Sequence, residues 1–185
     1  MDMEEKLAFL DEHYLSHFDY LDVDSVIQEQ KAFGACQDVT LEYPVAENEG
    51  EEDNTYLSYN MVVGNAADSQ MAMAFEVLDY ALLSAPGAPL KQALLDVKAG
   101  KDVYGSYDDG ILQPYFTVIA KGSNPDRKEE FVSVIRQVLG DIVKNGIDKK
   151  AVEAGINYFE FRYREADFSS YPKGLMYSLD ILGDW

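Results

Sequence analysis

The chain alternates between two apolar periods, and the switches mark its elements. Between residues 3 and 18, Leu7, Leu10, Tyr14 and Phe18 recur at helical spacing, which predicts an amphipathic helix of about four turns. From Asp19 to Ala35 the periodicity lapses, as expected of an extended linker. Val39 to Val45 then alternates as a strand does, and so does Thr55 to Gly64, with an acidic turn over 47–54 between them. Asp68 or Ser69 is placed to cap a helix whose apolar face is Met71, Phe75, Leu78, Leu82 and Leu83.

The stretch from Ser84 to Lys121 organises the rest. Pro89 fits the first turn of a short helix carrying Leu90, Leu94 and Leu95, and Gly100 is placed to end it. Two alternating aromatic-rich runs follow, Asp102 to Tyr107 and Gln113 to Lys121. Asp108-Asp109-Gly110 supplies the turn between them, because Asp-Gly is a strong hairpin signal. Asn124-Pro125-Asp126 opens a long helix with Phe131, Val134, Ile135, Val138, Leu139 and Ile142, ending at Asn145-Gly146. Asp148 opens another, with Val152, Ile156 and Phe159, running to about Ala166, and Pro172 starts a last one. Strand pairs separated by helix pairs predict an α+β two-layer sandwich, with one mixed or antiparallel sheet covered by helices on a single face.

Composition narrows what such a domain does. The chain has 185 residues and a net charge of −19, so it lacks the basic face that neutralises phosphates, and no nucleic-acid partner is expected. An acidic surface suits cationic partners, though solubility alone explains it. No apolar run approaches the ~18 residues of a membrane span, so no membrane partner is expected either. Cys36, the single cysteine, has no partner for an internal disulfide, and the acidic start M-D-M-E-E-K is unlike a signal peptide. The expected location is the cytoplasm, or an organellar matrix in a eukaryote.

Chemistry-bearing motifs are sparse. The sequence contains no G-x-S-x-G, P-loop, G-x-G-x-x-G or C-x-x-C. The two histidines, His13 and His17, stand four apart on the first predicted helix, but Tyr14 follows His13 where H-E-x-x-H requires a Glu. They read as an exposed helical pair. Arg162, Arg164, Glu165 and Asp167, ahead of Tyr171-Pro172-Lys173-Gly174, form the richest polar cluster. It reads as a helix end tied down by Arg–carboxylate pairs, or alternatively as an anion clamp. Tyr104, Tyr107 and Tyr115 give the hairpin both apolar area and hydroxyl groups, suited to cross-strand packing or to an edge that adds an extended peptide.

Three runs carry a resemblance that spacing alone does not give: L-L-S-A-P-G-A-P-L-K-Q-A-L-L-D, K-D-V-Y-G-S-Y-D-D-G-I-L-Q-P-Y-F and E-F-R-Y-R-E-A-D-F-S-S-Y-P-K-G-L. With the N-terminal F-L-D-E-H-Y-L-S-H-F-D-Y, they resemble the presequence-protease and falcilysin branch of the pitrilysin/insulinase zinc metallopeptidases. Family members have four related domains in two halves, closing around a chamber that admits unfolded peptides. The H-x-x-E-H zinc motif lies in the first domain, and this chain lacks it. The resemblance therefore implies the non-catalytic second domain over residues 34–185, preceded by the last helix and connector of the catalytic domain over 1–33, with both ends expected to be truncations.

In the family's last domain an Arg and a Tyr reach the scissile bond, whereas the matching region here holds Lys91 and Lys101. No catalytic residue and no cofactor are therefore expected in this chain, zinc belonging to the parent enzyme. The implied partners are the missing catalytic domain, the C-terminal half and an unstructured peptide substrate, with homodimerisation through exposed truncated surfaces as a further expectation. Relatives in the insulinase branch anchor a substrate's N-terminal end on a strand of this domain. The matching residues are Asp102, Val103, Tyr104, Gly105, Ser106 and Tyr107. The rival expectation is a free-standing, inactive interaction or scaffold protein that works by subunit packing.

Overall fold

A computed structural model of the chain describes residues 2–46, 50–165 and 168–184. Helix α1, Met3–His13, opens with a capping box between Asp2 and Glu5. It is shorter than the apolar spacing predicts. Tyr14 leaves the helical region, and Leu15–His17 forms a separate 3₁₀ turn, so His13 and His17 do not share a helix face.

The expected strand at Val39 to Val45 is absent. Residues 19–46 form no helix and no ladder, with a bend at Gly34 and Ala35, leaving Val39 73% and Leu41 85% exposed. Alternation shows which face a strand would bury, but it does not supply a partner edge, and Pro44 has no N–H to donate. Side chains hold this strap instead. Lys128 pairs with Asp38, the Tyr43 hydroxyl donates to the Asn54 carbonyl, and the Tyr43 ring lies 5.8 Å from that of Tyr56. The predicted acidic turn falls partly outside the described residues, at Glu47, Asn48 and Glu49.

Three strands form one antiparallel sheet in the order β1-β3-β2: β1 Thr55–Val62, β2 Asp102–Asp108 and β3 Tyr115–Ser123. β3 starts two residues later than predicted, after Pro114. The turn is fixed by the Gly110 N–H donating to Asp108 Oδ1 at 3.1 Å. Helix α2, Ser69–Asp79, is capped by Asp68, which accepts from the Met71 N–H at 3.0 Å. It continues into a wider π turn, Tyr80–Ser84, which turns Ala81, Leu82 and Leu83 inward.

Helix α3 is Pro89–Asp96. It is not ended by Gly100 but by Lys98 in the left-handed region (φ 55), with the Ala99 N–H donating to the Leu94 carbonyl and the Lys98 N–H to that of Leu95. Gly100 has another task, since a Cβ there would sit 2.7 Å from the Lys121 carbonyl oxygen. Helices α4, Lys128–Asn145, α5, Lys149–Glu165, and α6, Lys173–Asp184, complete the chain. Ala166, where α5 was expected to end, lies outside the described residues.

The core lies on one face of the sheet. Leu57, Val103, Phe116, Val118 and Ala120 point toward Leu83, Leu90, Leu94, Phe131 and Ile135, and all ten are buried. Each fully buried aliphatic or Phe side chain contributes roughly 1.5–3 kcal/mol, so this face defines the domain. The fold is α+β, with helices on one side of an antiparallel sheet.

Candidate functional site

The register shows which edge groups are free. The Val63 N–H donates to the Pro114 carbonyl at 2.8 Å, continuing the β1–β3 ladder through Met61↔Phe116, Tyr59↔Val118 and Leu57↔Ala120. Successive residues in an antiparallel strand direct their N–H and C=O to opposite sides. Even-numbered β3 residues therefore bond toward β1 and odd-numbered ones toward β2. On β2 this assigns Asp102, Tyr104, Ser106 and Asp108 to the β3 ladder and directs the main-chain groups of Val103, Gly105 and Tyr107 to the free edge.

The six residues singled out from the sequence thus lie on one edge strand with divided roles. The side chains of Val103 and Tyr107 face the helices, where the Tyr107 ring stacks on Phe75 at 5.4 Å. Gly105 lies so close to α2 that a Cβ would be 2.2 Å from Leu83 Cδ1 and 2.6 Å from Asp79 Oδ1. Asp102, Tyr104 and Ser106 face the other way, onto the helix-free face.

That face is largely uncharged, although the chain carries −19. Its central row joins Asn60, Thr117 and Ser106. Thr117 Oγ1 donates to Asn60 Oδ1 at 2.5 Å, and Asn60 Nδ2 donates to Ser58 Oγ at 2.7 Å. Tyr56, Tyr104, Ile119, Tyr115 and Val62 surround this row. Charges stand at the ends: Lys121 lies over the Tyr56 ring at 5.8 Å, while Asp108 Oδ2 accepts from the Tyr115 hydroxyl at 3.1 Å.

Carboxylates gather where β2 ends. Burial pushes the Tyr107 hydroxyl's pKa up, and Asp109, Asp68 and Glu76 add to the effect. Tyr163 on α5 donates to Glu76 Oε2 at 3.0 Å, and burial together with Glu76 pushes its pKa up to about 12. Burial also raises the Glu76 and Asp79 carboxyls above their ordinary range. Asp79 Oδ1 is buried without a hydrogen-bond donor. Sequence reading missed Glu76, Asp79 and Tyr163, because no local pattern shows that α5 crosses α2. At the Arg-rich end of α5 the Arg164–Glu160 pair, at 2.5 Å, lies within the helix and ties it to nothing else, whereas Tyr163 reaches Glu76 on α2 and Lys173 Nζ donates to the Glu165 carbonyl at 3.0 Å. Asp167, expected in that cluster, lies outside the described residues.

Comparison with known proteins agrees with the fold. The peptidase M16 inactive domain matches residues 2–159. The chain belongs to that family. It is 43% identical over 184 residues to protein HypA of Clostridium perfringens, covering all of this chain and 19% of that protein. Presequence protease 1 of Arabidopsis thaliana is 29% identical over 163 residues, covering 87% of this chain and 15% of its own length. The chain thus spans less than a fifth of the length of these relatives. Its fold is similar to a crystal structure described as the inactive peptidase domain of a zinc protease from Bordetella parapertussis, with TM-score 0.57, 13% identity and coverage of 70% of this chain and 75% of that one.

Zinc does not fit the residues of this inactive domain. There is no H-x-x-E-H, and among the described residues no three His, Cys, Asp or Glu side chains converge as ligands. His13 packs instead on Phe9, with ring centroids 4.4 Å apart. Lys91 and Lys101, the positions compared with catalytic helpers, pair with Asp102 and Asp53, each at 3.3 Å.

Proposed function

We propose that this chain is a substrate-holding wall of a peptide-degrading zinc endopeptidase, and that hydrolysis takes place in a catalytic domain outside these residues. One observation carries the reading. The sheet is covered on one face only, and its bare face is built of hydroxyl, amide and aromatic groups ending at an unpaired β2 edge. Such a surface accepts an extended peptide by main-chain pairing without demanding a sequence. The acidic end of β2, at Asp109, Asp68 and Glu76, favours a segment with a cationic end there. In this reading a catalytic partner domain covers exposed apolar residues of α5 and α6 such as Phe161 and Ile181, which are 66% and 61% exposed.

Hydrogen exchange with and without saturating unstructured basic peptide tests the proposal. The Gly105 and Tyr107 amides are expected to slow on binding. Bound peptide with unchanged exchange at both would sink the edge-pairing reading.

A further inference from the structure

The β2 edge is open along only part of its length. The outward N–H of Val103 donates to Asp102 Oδ1 at 2.8 Å, and Lys91 Nζ on α3 reaches the same oxygen at 3.3 Å. Val103 is 0% exposed, main chain included, whereas Gly105 and Tyr107 keep some access to solvent. One carboxylate oxygen therefore occupies the first edge donor and is itself held by a lysine from the neighbouring helix.

We propose that the Lys91–Asp102 pair is a displaceable latch that sets the register of strand addition. While it is shut, a bound segment pairs with Gly105 and Tyr107. When Asp102 swings away, the ladder extends to Val103. The inference rests on reading β2 as a substrate edge. The side chains of the pair are 36% and 59% exposed, and ion pairs with that much solvent are weak, so the latch opens readily. Charged side chains guarding an exposed strand also keep unwanted edges from pairing, which makes the latch selective rather than merely obstructive. A segment must offer a carbonyl to the Val103 N–H and a substitute partner to Lys91 before it replaces Asp102.

The test compares the chain with its Asp102→Ala and Lys91→Ala variants, using a labelled, uncharged Ser/Thr/Val peptide followed by fluorescence anisotropy and hydrogen exchange. Asp102→Ala is expected to tighten binding roughly three- to tenfold, the worth of one further main-chain hydrogen bond. The peptide should then slow exchange at Val103 as well as at Gly105 and Tyr107. Lys91→Ala, which leaves the strand untouched, should move both readings the same way by less. Equal affinity in all three proteins, with protection confined to Gly105 and Tyr107, would overturn the latch and leave the holding role standing. A peptide that protects none of the three amides would overturn both.

Discussion

Gly105→Ala tests the packing that holds β2 against the helices. Replacing glycine in a strand interior ordinarily stabilises a protein by about 0.5–1 kcal/mol, through chain entropy and side-chain contact. The opposite sign is expected here. The new Cβ would lie 2.2 Å from Leu83 Cδ1, 2.6 Å from Asp79 Oδ1 and 3.0 Å from the Thr117 carbonyl oxygen. Leu83 is 1% exposed, so its methyl has nowhere vacant to turn. Asp79 moves only by disturbing its contact with the Ser84 hydroxyl, at 3.4 Å. The Thr117 carbonyl belongs to the β3 main chain opposite Ser106.

Overpacking of this kind costs about 1–3 kcal/mol. Set against the ordinary gain, the net loss is up to about 2.5 kcal/mol and centres near 1 kcal/mol, a visible fraction of the roughly 5–15 kcal/mol by which domains are stable. Urea unfolding followed by circular dichroism measures it, provided the denaturant slope stays constant. Repeating the substitution in a Leu83→Ala background should remove most of the cost, a coupling of about 1 kcal/mol. A stable Gly105→Ala protein, or one penalised equally in both backgrounds, would refute the argument.

Two further substitutions follow from the same geometry. Burial raises the Asp79 carboxyl above its ordinary value of 3.8, so the folded state holds that proton more tightly than the unfolded chain does. The stability this gives is fully present below pH 3.8 and is lost as pH rises through the folded value. Asp79→Asn should therefore match the parent in acid and exceed it at neutral pH, by no more than about 1 kcal/mol, because the amide carries no charge for burial to penalise and the group is only partly desolvated. Parallel stability curves from pH 3 to 7 would contradict the assignment. Lys98→Gly should stabilise the chain by about 0.5–1 kcal/mol, because lysine bears the left-handed strain at the end of α3 that glycine avoids. A lower melting temperature for this variant would count against that reading of the cap.

Local pattern was enough to place the helices from α2 onward and the hairpin, though not to set where α1 and α3 end. Phe131, Ile135 and Leu139 repeat at helical spacing, and Asp108-Asp109-Gly110 turns the chain where β2 ends. What depends on distant neighbours was not legible. Strand order is one such property: β3 comes last in sequence and lies in the centre, so only the assembled sheet leaves β2 an edge. Gly100 shows the same limit. A glycine after a helix suggests a cap, yet the reason for this one is a carbonyl on β3. The latch joins Lys91 and Asp102 across a helix and a strand, and no periodicity relates the two. Val39 to Val45 carried a strand's alternation without the partner that would make it one.

The strap before the sheet has a consequence for handling the protein. Over residues 19–46 the main chain is gripped at Gln30, whose N–H donates to Gln113 Oε1 at 2.6 Å and whose carbonyl accepts from Gln113 Nε2 at 3.2 Å. None of these residues is buried, and none belongs to the core. Apart from that grip the stretch is exposed and lies outside every helix and ladder, so a protease reaches it more readily than it reaches the helices. Brief trypsin treatment should nick after Lys31 long before it reaches the lysines of α4, and the fragment carrying the sheet should keep its fold once the cut peptide is washed away.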